Sequence, residues 1–273
     1  MSKVSIILPT YNGHRFINRA IESVFSQTFV DWELVIIDDG SEPAIKLVID
    51  KKYLSDPRVK VLENKENLGI QKSLNKGLRE SNGEYIARLD DDDWWNCNNK
   101  LFKQIDLLDS KSDVGICGTG AVFVNEEGKE LFKYQPNETD KEIRSLILKK
   151  NPYIHASVMF RKKLVLDLGG YDESKETLHL EDYDLWLRLG VKAEFASVRH
   201  SCTSFFLGSG GISSKFKKEQ LIRNTQLIKK YGKQYPRYFK YLAYSYARNF
   251  LYSLYNLMPS GIKTKLFAIY KRN

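Results

Sequence analysis

The sequence predicts an α/β protein with a mainly parallel central sheet flanked by helices. Three observations carry this: four short apolar or β-branched runs in the first 89 residues, helix-spaced stretches between them, and a polar, turn-rich break after each run. The runs are VSIIL (4–8), ELVII (33–37), VKVL (59–62) and EYIARL (84–89). Strands that alternate with helices need crossovers, which are right-handed and give parallel pairing. Between the first two runs, residues 14–27 put Phe16, Ile17, Ala20, Ile21, Val24 and Phe25 on one stripe, as a helix laid on a sheet requires. The breaks read PTYNG, DDGS, ENKENLG and DDDDWW, and in an open α/β sheet such breaks line one edge, where ligands bind.

After residue 112 the pattern becomes mixed. DVGICGTGAVFVN, a turn at EEGK and ELFKY predict a strand pair, EIRSLILKK a helix, and HASVMF a further strand. GGYDES is a turn, with Gly169-Gly170 expected at positive φ, and EDYDLWLRLG is a helix with Leu185, Trp186 and Leu189 facing inward. From about residue 215 the chain turns helical, basic and rich in Tyr. The expected division is therefore 1–214 as one body and 215–273 as a C-terminal helical extension.

Charge follows that division. The net charge is +9, yet from Lys215 onward there are 14 Lys and Arg against one acid, Glu219, so the first 214 residues are mildly acidic. Cys97, Cys117 and Cys202 form no CxxC pair, which points to neither a disulfide framework nor a zinc site and makes a reducing cytosol the expected compartment. The apolar run at the N-terminus is too short for a signal peptide and fits a first strand. In RYFKYLAYSYARNFLYSLYNLM (237–258), Phe239, Leu242, Ala243, Tyr246, Phe250, Leu254 and Leu257 form one stripe, and Tyr241, Tyr244, Arg248, Tyr252 and Tyr255 another. Its charges and the break at Pro259 exclude a transmembrane span. Two readings remain, a helix packed on the body and an interfacial helix at the headgroup layer, and GIKTKLFAIYKRN repeats the basic-aromatic character.

The run DDDD (90–93) carries the chemistry. Four carboxylates at the end of an interior strand are costly unless neutralised, and a divalent cation removes that cost. Oxygen-only ligands select Mg²⁺ or Mn²⁺, with one or two carboxylates bound and substrate phosphates filling other positions. If the strand geometry continues, Asp90 and Asp92 point the same way, leaving Asp93 to reach the metal from the turn or to hold a sugar hydroxyl. DDGS and PTYN are each ordinary turn sequences. Together on one edge they suggest a carboxylate that accepts a ring N–H beside a Tyr that stacks on a base, a contact of about 1–3 kcal/mol.

The ordered set PTYN, VIIDDGS, NLG with LNKG, a strand ending in DxDD, and GGYD followed by ED resembles family 2 glycosyltransferases over roughly residues 3–200. NLGIQKSLNKGL, ARLDDDD, NPYIHASVMFRKK and EDYDLWLRL look most like the bacterial polysaccharide-assembly branch, of the amylovoran type. The resemblance implies a GT-A fold and a nucleotide-sugar donor. It places Pro9, Thr10, Tyr11, Asn12 and Asp39 with the base and ribose, and Asp90, Asp91, Asp92 and Asp93 in the region that binds ribose, diphosphate, sugar and metal, Asp90 and Asp92 being the metal ligands. It makes Asp182 the catalytic base. Leu74 stands where many members carry Arg, with Lys72 as the alternative cation for the diphosphate; the usual Pro after the DxD region is replaced by WWNCNNKL. His155, Gly170, Tyr171, Asp172 and Glu181 are candidates for sugar or acceptor contact. Trp94 and Trp95 are core residues or a sugar platform.

The expected reaction is inverting transfer of a hexose-type sugar from a UDP-sugar to a hydroxyl of a lipid-linked saccharide, at the inner face of a bacterial membrane. Asp182 would take the acceptor proton, its pKa raised from about 3.9 by an adjacent carboxylate such as Glu181. A sugar nucleotidylyltransferase would need a Gly-rich, Arg-containing N-terminal loop that PTYNGHRF lacks. A nucleic-acid-binding protein accounts for the basic tail but not for the Asp cluster, so no nucleic-acid partner is expected. A polyprenyl synthase needs DDxxD, where this chain has Trp94.

Overall fold

The first three runs become strands β1 (Val4–Thr10), β2 (Trp32–Asp38) and β3 (Val59–Glu63), and the fourth becomes the shorter β4 (Tyr85–Arg88). The computed structural model describes residues 2–208 and 215–258; Pro259 and GIKTKLFAIYKRN lie outside the described residues. Between the strands run α1 (Ile17–Phe25), the short α2 (Lys51–Leu54) and α3 (Ile70–Glu80). The second half supplies β5 (Trp94–Trp95), α4 (Lys100–Ser110), β6 (Val114–Val124), β7 (Glu130–Tyr134), α5 (Asp140–Leu146) and β8 (Met159–Arg161). It ends with α6 (Lys162–Asp167), α7 (Glu181–Leu189), β9 (Glu194–Phe206), α8 (Lys217–Tyr231) and α9 (Tyr238–Leu257).

One sheet joins these strands in the order β3-β2-β1-β4-β8-β6-β9-β5, with β7 added to β6. Pairing is parallel for β3/β2, β2/β1, β1/β4 and the long β6/β9 ladder, and antiparallel where β8, β5 and β7 insert. The mostly parallel α/β expectation holds. HASVMF departs from it in part. Ser157 Oγ donates to Ile154 O at 2.7 Å and Ser157 N to the same oxygen at 2.9 Å, closing a 3-10 turn over His155–Ser157, so strand pairing starts only at Met159.

Strand alternation sorts the core into two layers. Val4, Ile6 and Leu8 of β1 join Ile17, Ile21, Leu101 and Leu108 on one face, while Ile7 joins Leu74, Leu78 and Trp186 on the other. Gly77 lets α3 cross β1 and β2 closely, because a Cβ there would lie 2.7 Å from Ile7 Cγ2. Leu227, Ile228, Tyr235 and Tyr241 enter the second layer, so α8 and the start of α9 share the core of the body. No helix among the described residues is long and apolar enough to cross a membrane.

Candidate active site

The parallel register sets Thr10 opposite Asp38 and Ile7 opposite Arg88, which brings the loops after β1, β2 and β4 to one edge. The loop after β3 joins them through Asp39. Its Oδ1 accepts from Asn64 Nδ2 at 2.7 Å and Leu68 N at 3.0 Å, and its Oδ2 accepts from Gly69 N at 2.9 Å. Three of about four acceptor positions on this buried carboxylate therefore hold the 64–69 loop. Its neighbour Asp38 is also structural, accepting from Ser41 N and Ile45 N at 2.9 and 2.7 Å.

Asn12 ties the first two loops together. It sits at φ 57, donates its N–H to Ser41 Oγ and accepts from Glu42 N. Tyr11 beside it is 53% exposed, open to a flat ligand, whereas Pro9 is buried in register with Ile37. Thr10 is buried, and its hydroxyl donates to Asp91 Oδ2 at 2.5 Å. Gly13 lies against that pair: a Cβ there would come 1.9 Å from Asp91 Oδ2.

The strand does not continue through the four aspartates. It ends at Arg88, and Asp93 N donates to Asp90 O at 3.3 Å, closing a turn, so strand alternation does not set where each carboxylate points. Asp90 accepts from Arg88 Nη2 at 2.6 Å and keeps 30% of its side chain exposed. Burial raises Asp91 to about 6; burial and the charges of Asp90 and Asp91 raise Asp92 to about 7. Asp93 is 1% exposed, so it faces inward rather than towards a sugar: Oδ1 accepts Phe206 N at 2.8 Å, and Oδ2 is buried without a hydrogen-bond partner. Burial pushes its pKa well above the ordinary carboxylate value.

Two arginines offset this charge. Arg88 is fully buried beneath the cluster, bonded to Ile7 O, Leu89 O and Asp90, while Nε donates to His155 Nε2 at 3.2 Å. Arg19 of α1 donates to Asp92 O at 3.0 Å and stacks 3.6 Å from the Trp94 ring centre. Trp95 is core, its Nε1 donating to Ala156 O at 3.0 Å. Leu74 is wholly buried, so the position where many relatives were expected to carry Arg packs in the core, and Lys72 lies exposed on α3.

The other half of the edge comes from the GGYD turn and α7. Asn75 clamps that turn, donating to Tyr171 O and accepting from Tyr171 N, each at 2.8 Å, beside Gly170 at φ 75. Tyr171 is buried, and its hydroxyl meets His155 Nε2 at 2.9 Å. His155 thus lies between Arg88 and Tyr171, with burial and the Arg88 cation holding its pKa well below the usual value, which suits a neutral acceptor. Asp172 closes its own turn, accepting from Ser174 N at 2.9 Å, with Lys230 of α8 3.9 Å away.

Glu181 and Asp182 open α7, where the helix N-terminus favours negative charge. Asp182 accepts from Asn151 Nδ2 at 2.7 Å and from Tyr183 N at 2.6 Å. Burial raises its pKa to about 6, those hydrogen bonds work against the rise, and the Asp90 charge adds to it. Burial and the Asp90 charge thus supply the upward shift that had been expected from Glu181. Glu181 itself rises to about 8, from burial and then Asp182, and its buried Oε2 has no hydrogen-bond partner.

Among the described residues no group of three or more His, Cys, Asp or Glu is arranged to hold a metal by itself. The donor chemistry nevertheless fits a hard divalent ion shared with phosphate oxygens: the partly exposed carboxylates of Asp90 and Asp92 stand beside an orphaned carboxylate oxygen on Asp93.

The sequence pattern of Glycosyl transferase family 2 matches residues 5–169, more than half of the chain. The chain is a family 2 glycosyltransferase. Among curated relatives, this glycosyltransferase is 31% identical to the amylovoran biosynthesis glycosyltransferase AmsE of Erwinia amylovora over 188 residues, covering 68% of each chain. It is 28% identical over 264 residues to WfgD of Escherichia coli, a UDP-Glc:α-D-GlcNAc-diphosphoundecaprenol β-1,3-glucosyltransferase, covering 97% of this chain and 95% of that one. Several other curated relatives are matched over about two thirds of their length or less. In structure the glycosyltransferase resembles the mannosyltransferase PcManGT of Pyrobaculum calidifontis, solved with GDP-Man and Mn²⁺. The TM-score is 0.67 at 17% identity, over 90% of this chain and 69% of that one, which supports the GT-A fold.

Proposed function

We propose that this glycosyltransferase moves a hexose-type sugar from a UDP-sugar to a hydroxyl of a lipid-linked saccharide in bacterial surface polysaccharide synthesis, with inversion. The observation that carries the reading is Asp182: a carboxylate with a pKa of about 6, held by Asn151 and Tyr183 N–H, within electrostatic reach of Asp90 at the same edge. WfgD supports a UDP-glucose donor and a diphosphoundecaprenol acceptor, and AmsE supports the polysaccharide setting. In this reading the body of 1–214 performs catalysis, and the C-terminal helical extension supplies contact with the inner face of the membrane.

Asp182 accepts the acceptor's hydroxyl proton as that oxygen bonds to the anomeric carbon; the bond from that carbon to the diphosphate oxygen breaks with its electron pair leaving on UDP. Tyr11 stacks on the base, and Asp39 offers its remaining acceptor position to a ring N–H. Pro9, Thr10, Asn12 and Asp91 shape the nucleoside cradle, and Lys72 is the exposed cation for the diphosphate. Asp90 and Asp92 would hold Mn²⁺ or Mg²⁺, which supplies positive charge to the departing diphosphate. Gly170, Tyr171, Asp172, His155 and Glu181 shape the acceptor side, with His155 and Tyr171 acting through the turn they support.

A panel of nucleotide sugars with Mn²⁺, read as release of free nucleotide, identifies the donor without an acceptor. Asp182→Asn is expected to lower transfer by about 10²–10⁴ while nucleotide binding persists. Transfer near the wild-type rate in a folded Asp182→Asn protein would remove Asp182 from the mechanism.

A further inference from the structure

Helix α9 packs Tyr241 and Leu242 on the body's core but turns most of its apolar stripe outward. At 3.6 residues per turn, Phe239, Ala243, Tyr246, Phe250, Leu254 and Leu257 fall within about 80° of one another around the axis. That stripe, which a soluble helix would bury, faces outward: Phe239 and Leu257 are 81% exposed, Phe250 64%, Tyr246 47% and Leu254 40%. The stripe turned to the body carries the polar groups. Tyr241 and Ser245 are buried, Arg248 Nη2 donates to Asn224 Oδ1 at 2.7 Å, and Asn249 Nδ2 donates to Thr225 Oγ1 at 3.0 Å. Hydrogen bonds to α8 hold this rotation: turning the apolar ridge inward would break them and leave Asn224 and buried Thr225 of α8 without those donors.

We propose that this ridge is a membrane-docking surface whose partner is an anionic lipid bilayer. Charge chooses the occupant. Lys229, Lys233 and Lys240 are exposed on the same two-helix unit, with Lys229 lying 5.2 Å from the Tyr246 ring centre. The sequence adds four more Lys or Arg and no acid in 259–273. An apolar and aromatic ridge flanked by lysines suits the boundary between acyl chains and anionic headgroups. A second copy fits poorly, since it would press two strongly basic surfaces together. This inference deepens the reading of a lipid-linked acceptor and rests on it.

The test uses the full chain and vesicles made of equal parts phosphatidylethanolamine and phosphatidylglycerol. Wild-type protein sediments with them, and less so in high salt. Phe250→Ser with Leu254→Ser partitions about tenfold or more weakly, at an unchanged rate of nucleotide release from the donor. If the double variant sediments like wild type, the ridge is not the docking surface. If the wild-type chain stays in the supernatant and light scattering shows a dimer that the double variant converts to monomer, a second copy covers the ridge and the proposal is overturned. Comparing transfer to lipid-linked and detergent-free soluble acceptors tests the acceptor reading separately, so either idea can fail alone.

Discussion

Asn151→Ala is expected to move the acid limb of the pH profile to higher pH. Asn151 Nδ2 donates to Asp182 Oδ2 at 2.7 Å, and that bond favours the ionised carboxylate, holding down a pKa that burial has raised to about 6. A hydrogen bond to a charged group contributes about 1.5–3 kcal/mol, and one pKa unit is about 1.4 kcal/mol, so its loss raises Asp182 by about 1–2 units. Asp182 is partly exposed, which favours the lower end, a limb near pH 7. Transfer is then about fivefold slower than wild type at pH 6 and nearly equal at pH 8.5, because only the ionised base accepts the proton. The assay is kcat/KM for transfer against pH, with nucleotide affinity measured in parallel because burial and neighbouring charge also raise Asp91 to about 6 and Asp92 to about 7. Dividing wild type by variant removes those shared groups. The substitution also drops a weaker bond from Tyr153 N–H at 3.3 Å, so a melting curve controls for stability. A limb that stays in place in a fully folded variant would break the link between Asn151, Asp182 and catalysis.

Two further outcomes follow from charge and packing. Asp91, Asp92 and Glu181 have folded pKa values of about 6, 7 and 8, above ordinary unfolded carboxylates, so their contribution to stability is full below about pH 4 and is lost as pH rises through those values. The metal-free protein should therefore melt several degrees lower at pH 8 than at pH 5, and Mn²⁺ should raise the midpoint more at pH 8; equal Mn²⁺ shifts at both would contradict the charge argument. Gly77→Ala puts a Cβ 2.7 Å from Ile7 Cγ2 and 2.9 Å from Ile37 Cδ1. Overpacking of about 1–3 kcal/mol outweighs a helix-propensity gain of about 1 kcal/mol, so its urea midpoint should fall, and a variant as stable as wild type would show that α3 can shift outward.

Periodicity made the first four strands, α1 and the inward face of α7 legible, because each needs only the spacing of apolar residues within one segment. The edge of polar loops was legible for the same reason, since parallel strands carry their carboxyl ends to one side. What the sequence did not disclose are partners distant along the chain. Thr10 meets Asp91 from 81 residues away, Arg88 meets His155 from 67, Asn75 meets Tyr171 from 96, and Asn151 meets Asp182 from 31. ARLDDDD and NPYIHAS contain Arg88 and Asn151, but no local rule tells a buried clamp from a surface polar residue. The two stripes of α9 were also visible in the sequence. Which one faces the body was not, because Asn224, Leu221 and Thr225 of α8 decide it.

The aspartate cluster joins stability to chemistry. With all four carboxylates ionised, Arg88 and Arg19 balance two of them and leave two negative charges in a partly buried turn. Proton uptake by Asp91, Asp92 and Asp93 relieves that excess, which is why burial and mutual repulsion raise these groups while Arg88 holds Asp90 as an ion pair. A divalent ion carries the same two charges and, held by Asp90 and Asp92 as proposed, would compete with the proton on Asp92. If a cation is held at this edge together with the donor's diphosphate, as proposed, its binding would release protons from these carboxylates. The run of four acids is tolerated because Arg88 pairs with Asp90 from below and protons can meet the remaining charge on Asp91, Asp92 and Asp93.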